Sequence, residues 1–508
     1  MALTAEKTSV VASFAPATNA EAVGARAGVA DGVAFVEVRL DSLREEPDLA
    51  GIRDAFAGRT LVATLRTEEE GGRFTGPLDA GSRLLKSALR AGFELVDLPL
   101  RGPLGTSLDG VDPSRVIVSA HETTGVPADL DALVDAMQKT GARFHKVVGT
   151  ARDSADALRL LAFQRRRADG RLAAFAMGEA GIATRVLSPY LGGALAYGSL
   201  VHGRETAPGQ LPARDLVEVY GIGRRRRVEK LYALFGGFVS HSLSPALHNA
   251  NFEAGKDAAL YVPFALQSLL TEFDPLVIAF DGFGLPLKGA SVTIPFKEEA
   301  ATVAVFRGES VANTLVRSGD AYIASNTDRT AISAFTPLAS PGTRALVLGA
   351  GGTARVAIEV LVGRRYDVFV WNRDPVRAHD LAEETGVSFL ANLGPSSGPF
   401  ALLVNATPVG LRAEDALPCP EELLHEDLVV IDAPYRAGGT RLVKAAHDAG
   451  ARVFDGFALL LTQAAKQAEL FTGRATPPSA LVERLPARLA ELFEGHAPSA
   501  ADPKGLDL

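Results

Sequence analysis

The first 210 residues repeat one pattern: a short apolar strand followed by an amphipathic helix. Helical stretches such as GSRLLKSALRAG lie between most of the strands. The eight predicted strand segments are SVVASF, VAFVEVRL, TLVATLR, FELVDLPL, RVIVSAH, RFHKVVG, LAAFAM and GALAYGS. Strands connected through helices run parallel, and eight of them can close into a ring. The pattern therefore predicts an α/β fold that begins with a (β/α)8 barrel, or TIM barrel.

The C-terminal ends of these strands hold a set of mostly polar side chains. They are Glu37, Arg39, Arg66, Asp97, His121, Lys146 and Met177. In a (β/α)8 barrel the active site is built at this end. A closed barrel also has no edge strand from which a lysine could simply reach water. We therefore predict that Lys146, which interrupts the apolar segment RFHKVVG, points into a site.

Length and composition restrict the class of protein. The chain has 508 residues, which suggests two or three domains, and its 47% hydrophobic content is enough for a core in each. A formal net charge of −8 argues against general binding to nucleic acid or to an anionic membrane. The single cysteine, Cys419, fits a reducing compartment. We expect a cytoplasmic protein without a signal peptide, a membrane span or a nucleic-acid partner.

A glycine-rich turn marks the second half of the chain. The stretch RALVLGAGGTARVAIEVLVGRRYDVFVWNRD predicts strand, turn, helix and strand. The turn has the G-x-G-x-x-A form of a dinucleotide-binding motif, whose glycines allow the backbone to approach a pyrophosphate at the helix N-terminus. A tight turn without a cofactor is the alternative. The predicted cofactor-binding residues of the turn are Gly349, Ala350, Gly351, Gly352, Thr353 and Ala354.

The end of the second strand of this unit indicates which cofactor is bound. It reads VWNRDPVRA, which places Asn372, Arg373 and Arg377 where the adenosine ribose would lie. An acidic residue there favours NAD, whereas arginines suit the 2′-phosphate of NADP. The sequence thus favours NADP(H), although Asp374 adds a negative charge at the same place.

Residues 1–210 resemble type I 3-dehydroquinate dehydratase. The matching stretches are EVRLD, LRTEEEGG, SAH ending at His121, HKVVG around Lys146, ATR ending at Arg185, and ETAPGQ. The resemblance implies that Lys146 forms a Schiff base with the ketone of 3-dehydroquinate, which supplies an electron sink for dehydration. It implies that His121 is the general base and acid, a task suited to a group that titrates near pH 7, and that Glu70 orients it. The implied substrate contacts are Glu37, Arg39, Arg66, Arg185, Thr206 and Gln210, with Thr206 where serine is usual.

Residues 231–490 resemble shikimate dehydrogenase. The matching stretches are SHSLSPALHN, SVTIPFK, ANT, SNTD, NATPVG, DAPYRAGGT and GFALLLTQAAKQ. The resemblance implies that Lys297 and Asp328 form the catalytic pair, in which the lysine gives charge and a proton to the developing alkoxide. It implies that Thr407 and Gly456 contact the cofactor. The implied substrate contacts are Ser242, Ser244, Ser291, Thr293, Asn313, Tyr435 and Gln463, with Ser291 where asparagine is usual.

Together the two resemblances imply a bifunctional enzyme of the shikimate pathway with small-molecule substrates and NADP(H). Its barrel would convert 3-dehydroquinate to 3-dehydroshikimate, and its second half would reduce that product to shikimate. The expected domains are the barrel at 1–218, a linker at 219–230, an α/β substrate-binding lobe at 231–335, a Rossmann lobe at 336–490 whose last helix returns to the substrate lobe, and a disordered tail at 491–508. The alternatives are a catalytically silent sensor of shikimate metabolites, and a class I aldolase-like barrel fused to a quinate or NAD-dependent dehydrogenase. Use of quinate is open because of Ser291.

Overall fold

The computed structural model describes residues 2–102, 110–201, 203–224, 226–305 and 310–494. These residues form two compact units. The first consists of the chain up to Pro245 together with Gly255–Lys288, and the second of Ala246–Ala254 together with the chain from Gly289 onward. The domain borders expected from the sequence, at residues 218, 230, 335 and 490, stay predictions.

The first unit begins with the eight predicted strands, all of which are present. The strands are β1 (Ser9–Phe14), β2 (Val33–Arg39), β3 (Thr60–Thr64), β4 (Leu95–Pro99), β5 (Val116–His121), β6 (Phe144–Thr150), β7 (Leu172–Met177) and β8 (Leu195–Ser199). The helices among them are α1 (Asn19–Gly24), α2 (Leu49–Ala55), α3 (Leu78–Arg90), α4 (Leu130–Lys139), α5 (Ser154–Arg167), α6 (Ile182–Tyr190) and α7 (Ala213–Glu218). The predicted (β/α)8 architecture is confirmed.

The eight strands form one parallel sheet in the order β7-β6-β5-β4-β3-β2-β1-β8. Strand β1 is paired on both sides, with Ser13 opposite Glu37 of β2 and opposite Ser199 of β8. The ring is completed where β7 and β8 meet, since the Ala194 N–H donates to the Leu172 carbonyl at 2.8 Å.

Alternation along the strands decides which side chains face the barrel interior. An interior cluster includes Phe35 of β2, Leu95 of β4 and Val148 of β6. Because side chains two residues apart lie on the same face of a strand, Glu37, Asp97 and Lys146 face the interior as well. Their neighbours, such as Val36, Val38 and Val96, belong to a separate core that packs against the helices.

The chain continues into an α/β segment that contributes to both units. Its elements are β9 (Lys230–Gly236), α8 (Ser244–Ala254), β10 (Ala259–Ala265), α9 (Leu269–Gly282), β11 (Leu287–Val292), α10 (Lys297–Val303), β12 (Thr314–Ser318), β13 (Ala321–Ser325) and α11 (Thr327–Phe335). Strands β9 and β10 run parallel, whereas β11, β12 and β13 are successively antiparallel.

The rest of the second unit has the doubly wound topology of a dinucleotide-binding fold. Its elements are β14 (Arg344–Leu348), α12 (Gly352–Gly363), β15 (Asp367–Trp371), α13 (Pro375–Thr385), β16 (Ser388–Phe389), β17 (Leu402–Asn405), β18 (Val429–Asp432), α14 (Arg441–Asp448), β19 (Arg452–Phe454), α15 (Gly456–Thr472), α16 (Pro478–Glu483) and α17 (Ala487–Ala490). The parallel strand order is β16-β15-β14-β17-β18-β19. It reverses direction beside β14, and ligands of such sheets bind at the C-terminal ends of the strands at this point. The last long helix, α15, packs on α11.

The expected tail begins with residues that belong to the packed chain. Glu491–Phe493 forms a 3-10 turn, and Phe493 is buried with its ring 5.3 Å from that of Phe457. Residues 495–508 of the expected tail, and Arg225 of the expected linker, lie outside the described residues. In the part of the chain that the structure describes, no helix is long and apolar enough to cross a membrane.

Candidate active sites

A cavity of about 310 Å³ opens at the C-terminal ends of the barrel strands. It is lined by all nine residues that the sequence predicts for this site: Glu37, Arg39, Arg66, Glu70, His121, Lys146, Arg185, Thr206 and Gln210. The fold thus brings together residues from β2, β5 and β6, from the segment after β3, from α6 and from the loop before α7.

Lys146 is buried among two carboxylates and one aromatic ring. Its Nζ lies 3.0 Å from Oδ2 of Asp97 and 3.4 Å from Oε1 of Glu37. The same nitrogen lies 3.9 Å from the centre of the Tyr197 ring. Both carboxylates and the ring face attract a positive charge, so these contacts hold the lysine nitrogen in place.

Asp97 joins Lys146 to an arginine. Its Oδ1 accepts hydrogen bonds from Arg66 at 2.5 Å and from the Ser119 hydroxyl at 2.6 Å. Complete burial would raise the pKa of Asp97, but the attraction of Arg66 and Lys146 outweighs this and holds it below its usual range. Asp97 is therefore ionised at neutral pH.

His121 lies among cations at the end of β5. Burial of the ring, together with the positive charges of Arg66 and Lys146, lowers its pKa well below the usual value, and Asp97 opposes this only in part. The imidazole is therefore neutral at pH 7, the state in which a histidine can accept a proton.

Arg185 is a buried cation that forms no ion pair with any acidic side chain among the described residues, and its guanidinium carbon lies 5.1 Å from the centre of the Phe175 ring. Its side chain comes from α6, is 3% exposed, and donates only a long bond of 3.4 Å to the Pro208 carbonyl. Among the residues that the structure describes, its Nε has no hydrogen-bond partner. Burial lowers the pKa of Arg185 to about 10. A buried guanidinium beside a cavity is suited to an anionic group of a ligand.

The loop before α7 is hydrogen-bonded to the strands beneath it. The side-chain oxygen of Gln210 accepts from the Thr206 N–H at 2.8 Å, and the Thr206 hydroxyl lies 3.1 Å from that of Ser13. Ser13 in turn donates to Oε2 of Glu37 at 2.5 Å. A chain of polar groups therefore runs from this loop to the carboxylate beside Lys146.

Two of the predicted residues have partners of their own. Arg39 donates two hydrogen bonds to Asp41, at 2.8 and 2.7 Å. Glu70 accepts from Thr67 and forms a 3.5 Å ion pair with Arg66. The predicted contact of Glu70 with His121 stays a prediction.

The second unit brings five of the predicted residues, Lys297, Asp328, Asn313, Gln463 and Thr353, into one hydrogen-bonded group. Nζ of Lys297, at the start of α10, is ion-paired with Oδ2 of Asp328 and donates to the Thr353 hydroxyl at 3.0 Å. The amide of Asn313 donates to the other oxygen of Asp328 at 2.9 Å and to Gln463 at 3.3 Å. Asp328 therefore holds Lys297 in place from the first turn of α11.

Ser291 belongs to a second hydrogen-bonded group, which is centred on the side chain of Gln467. Its hydroxyl donates to the side-chain oxygen of Gln467 at 2.9 Å, and Nε2 of the buried His248 lies 3.2 Å from the same oxygen. The Gln467 amide also donates to the Thr314 hydroxyl at 3.1 Å. The oxygen of Gln467 can only accept, so Nε2 of His248 has the proton.

The glycine turn has the shape that a dinucleotide requires. Gly349 has φ of +113°, which favours glycine, and a Cβ on it would lie 3.0 Å from the Ala406 carbonyl. A Cβ on Gly352 would lie 2.8 Å from Val311. Helix α12 begins after Gly351 without a side-chain cap, so its first N–H groups remain for a phosphate. These residues fit a bound pyrophosphate.

The predicted ribose site lies beyond β15. Arg373 and Arg377 are exposed there. Asp374 is the N-cap of α13, since its carboxylate accepts from the N–H groups of Val376 at 3.0 Å and Arg377 at 3.5 Å. The Asn372 amide donates to the Asp374 carbonyl at 3.1 Å.

The other predicted residues lie in loops and at helix ends. The Ser242 hydroxyl accepts from the N–H of Ser244, which is the first residue of α8. Thr407 donates to Asn405 at the end of β17. Gly456 begins α15, and a Cβ there would lie 2.4 Å from the Pro434 carbonyl. Thr293 is half-buried, as is Tyr435, whose ring is 5.4 Å from that of Phe457.

Several residues of both sites were not predicted as site residues. They are Ser13, Asp97, Ser119 and Tyr197 in the barrel, and His248 and Gln467 in the second unit. Asp97 could have been included from the sequence, because it lies near the C-terminal end of the predicted strand FELVDLPL. In the part of the chain that the structure describes, no cluster of histidine, cysteine or acidic residues could hold a metal ion.

Comparisons with known proteins agree with both halves. The family model of type I 3-dehydroquinase matches residues 12–226, and that of the shikimate dehydrogenase substrate-binding domain matches residues 234–307. The chain is 30% identical over 486 residues to the chloroplastic bifunctional 3-dehydroquinate dehydratase/shikimate dehydrogenase of Arabidopsis thaliana, a match that covers 88% of this chain and 79% of the relative. It is 37% identical over 270 residues to the NADP(+) shikimate dehydrogenase of Halobacterium salinarum, covering 51% of this chain and 99% of the relative.

A solved structure is similar to the second half. The shikimate dehydrogenase of Thermus thermophilus, in complex with NADP(H) and shikimate, is 32% identical with a TM-score of 0.45, covering 51% of this chain and 99% of that one. The family assignment rests on the Arabidopsis relative and the family models, which span both halves in the same order. This chain belongs to the family of bifunctional 3-dehydroquinate dehydratase/shikimate dehydrogenase enzymes.

Proposed function

We propose that the barrel dehydrates 3-dehydroquinate to 3-dehydroshikimate and that the second unit reduces this product to shikimate with NADPH. The observation that supports the first step best is the presence, in one cavity, of the buried Lys146 and of the buried Arg185, which has no ion pair among the described residues. A substrate that has both a ketone and a carboxylate suits these two groups. The expected domain borders and a cytoplasmic location are part of the same proposal.

In the barrel, Lys146 reacts with the ketone while Arg185 binds the carboxylate. The amine must lose a proton before it attacks. The carbinolamine that forms then takes up a proton and loses one water molecule to give the iminium. The neutral His121 then accepts the proton from the carbon beside the iminium. The resulting enamine expels the hydroxyl group, which leaves as water with the proton from His121. Hydrolysis of the remaining iminium frees 3-dehydroshikimate and Lys146.

In the second unit, Lys297 supplies the proton for ketone reduction. The nicotinamide dinucleotide, when bound, supplies the hydride. Lys297 is held by Asp328 and donates its proton to the ketone oxygen as negative charge develops there. Asn313 and Gln463, which are bonded to each other, then orient the substrate hydroxyls.

Two observations support NADP(H) as the cofactor. Arg373 and Arg377 are exposed beyond β15, where a 2′-phosphate would lie. The relative from Halobacterium salinarum is named as an NADP(+) enzyme, and the Thermus thermophilus structure contains NADP(H). Glycines 349, 351 and 352 would approach the pyrophosphate.

The test is a single reaction mixture followed by a trapping experiment. Purified protein, 3-dehydroquinate and NADPH should give shikimate with loss of NADPH absorbance. Borohydride added with 3-dehydroquinate alone should inactivate dehydration and leave a mass adduct on the peptide that contains Lys146. The variant Lys146→Ala should show neither activity nor adduct, whereas Lys139→Ala, an exposed lysine of α4, should behave as the wild type. Inactivation of the wild type without an adduct would contradict the Schiff-base mechanism.

A further inference from the structure

Asp97 makes a contact with Lys146 that the proposed mechanism does not use. The Asp97 side chain is fully buried at the middle of β4. Its two oxygens have different partners: Oδ1 accepts from Arg66 and Ser119, whereas Oδ2 accepts from Lys146 at 3.0 Å. The carboxylate is thus held from one side and directed at the lysine nitrogen from the other.

Asp97 is a closer partner of Lys146 than Glu37 is. The Glu37 oxygen lies 3.4 Å from the lysine nitrogen and also accepts from the Thr64 hydroxyl at 2.9 Å. Attraction by Arg66 and Lys146 keeps the pKa of Asp97 below its usual range despite burial. Asp97 therefore presents a permanent negative charge to the lysine, and it is too weak a base to take its proton.

We propose that Asp97 is the counter-ion of the Lys146 nitrogen and sets the pH above which the barrel forms its Schiff base. It is a positioning residue, because it acts through Lys146, and the inference rests on the proposed function. An ammonium ion and a ketone combine to an iminium ion and one water molecule, so the positive charge remains on the nitrogen throughout. Asp97 stabilises both charged states and opposes the neutral amine that lies between them.

Other charges and dipoles also face the lysine, and they determine the size of the effect. The groups on the elements packed around β6 are Glu37, Arg66, Asp97, His121 and Tyr197. Arg39 and Arg185 line the same cavity. Even at the dielectric constant of bulk water, the interaction energy of two unit charges 3.0 Å apart is equivalent to a pKa shift of about one unit. Loss of the Asp97 charge should therefore be measurable despite its neighbours.

The experiment measures the pH dependence of Schiff-base trapping. Wild type and variants are incubated with 3-dehydroquinate and borohydride between pH 5 and 9, and the adduct on Lys146 is quantified by mass spectrometry. The variant Asp97→Asn keeps the shape of the side chain and removes its charge, so the midpoint of trapping should move to lower pH by at least about one unit. The variant Ser119→Ala removes a donor from Asp97 and leaves its charge less shielded, so the midpoint should move to higher pH.

A matched control makes the same chemical change elsewhere in the barrel. Asp156 is a buried carboxylate on α5 that accepts from Arg152 at 2.9 Å. The variant Asp156→Asn should leave the trapping midpoint at the wild-type value. If Asp97→Asn does not fold, the opposite shift in Ser119→Ala still tests the proposal.

The outcomes separate this inference from the proposed function. An adduct on Lys146 with an unchanged midpoint in both Asp97→Asn and Ser119→Ala would overturn the role of Asp97 and leave the Schiff-base mechanism standing. Absence of an adduct in the wild type at every pH would overturn the mechanism itself. A midpoint that moves equally in Asp156→Asn would show a general charge effect and would also overturn the inference.

Discussion

Asp374 places a negative charge at the predicted ribose site and is also the N-cap residue of α13. Its carboxylate caps α13 by accepting from the N–H groups of Val376 and Arg377. The cap keeps the charge near the side chains of Arg373 and Arg377 without removing it. A bound 2′-phosphate would therefore meet two cations and one anion, and NADP should still be preferred.

Cofactor preference should respond in opposite directions to two substitutions. Serine is as good an N-cap as aspartate, so Asp374→Ser removes the charge without removing the cap, and the ratio of kcat/KM with NADPH to that with NADH should rise. Arg373→Ala should lower the ratio, because a charge-assisted contact with the phosphate contributes about 1.5 to 3 kcal/mol. The ratio is measured by steady-state reduction of 3-dehydroshikimate at low ionic strength, where screening is weakest.

The control is Asp367→Ser, at the opposite end of β15. This variant loses the same charge from an exposed position and should leave the cofactor ratio unchanged. A wild type that uses NADH better than NADPH would contradict the NADP assignment. An unmoved ratio in Asp374→Ser would show only that Asp374 does not oppose the phosphate.

At the scale of elements, a buried histidine links α8 to α15. Nε2 of His248 on α8 bonds Gln467 on α15, and the same glutamine accepts from Ser291 at the end of β11. Burial lowers the pKa of His248 to about 4. In the unfolded chain a histidine has a pKa of about 6.5, so between these values only the unfolded state takes up the proton.

The second unit should therefore lose stability as the pH falls from about 6.5 towards 4. The contribution of His248 is fully present above pH 6.5 and decreases by up to about 1.4 kcal/mol for each pH unit below it. Urea unfolding at pH 7 and pH 5 should show a pH dependence that is smaller by about 2 kcal/mol in His248→Asn than in the wild type. The variant should also be less stable at pH 7, because the bond to Gln467 is changed.

The same substitution at His379, an exposed residue of α13, is the control. It should leave the pH dependence of unfolding as in the wild type. If His248→Asn keeps the full pH dependence, other groups cause the acid sensitivity of this unit.

The strands, and the end of the barrel at which the site forms, could be predicted because they depend on local patterns. The eight strands were predicted from β-branched residues and from the alternation of apolar and polar residues. Because strands connected through helices run parallel, Lys146 and His121 were expected at the same end of the barrel. The glycine turn was predictable for a similar reason, since positive φ and close approach are possible for few residue types.

The partners of these residues could not be predicted in the same way. The sequence places Asp97 near the end of a predicted strand. That its carboxylate bonds Lys146 and Arg66 depends on the register across three strands, which the sequence does not show. Gln467 is one turn beyond the predicted Gln463, and only the packing of α15 shows that it bonds Ser291. Pairing between distant segments is set by the folded geometry, which one sequence does not show.

At the scale of the whole molecule, the catalytic pair of each proposed activity lies within one compact unit. Lys146 and His121 belong to the first unit, whereas Lys297 and Asp328 belong to the second. We expect Lys297→Ala to lower the reduction of 3-dehydroshikimate by several orders of magnitude and to leave dehydration unchanged. Lys146→Ala should have the reverse effect, since each lysine acts in a different reaction.

Both activities are measured on the same preparation, dehydration by the absorbance of the conjugated product and reduction by the loss of NADPH. Lys466→Ala is the control, because that lysine of α15 is paired with Glu469. Equal loss of both activities in either catalytic variant would contradict the assignment of dehydration to Lys146 and of reduction to Lys297.

The bond from Lys297 to Thr353 has a consequence for binding equilibria. Thr353 lies in the first turn of α12, where we propose that the pyrophosphate is held, so its hydroxyl would face both the cofactor and the proton donor. Occupation of one ligand site must then change the free energy of the other, and the two affinities must change by the same factor. Titration calorimetry of each ligand with and without the other should give equal coupling factors, and Thr353→Val should reduce both towards one.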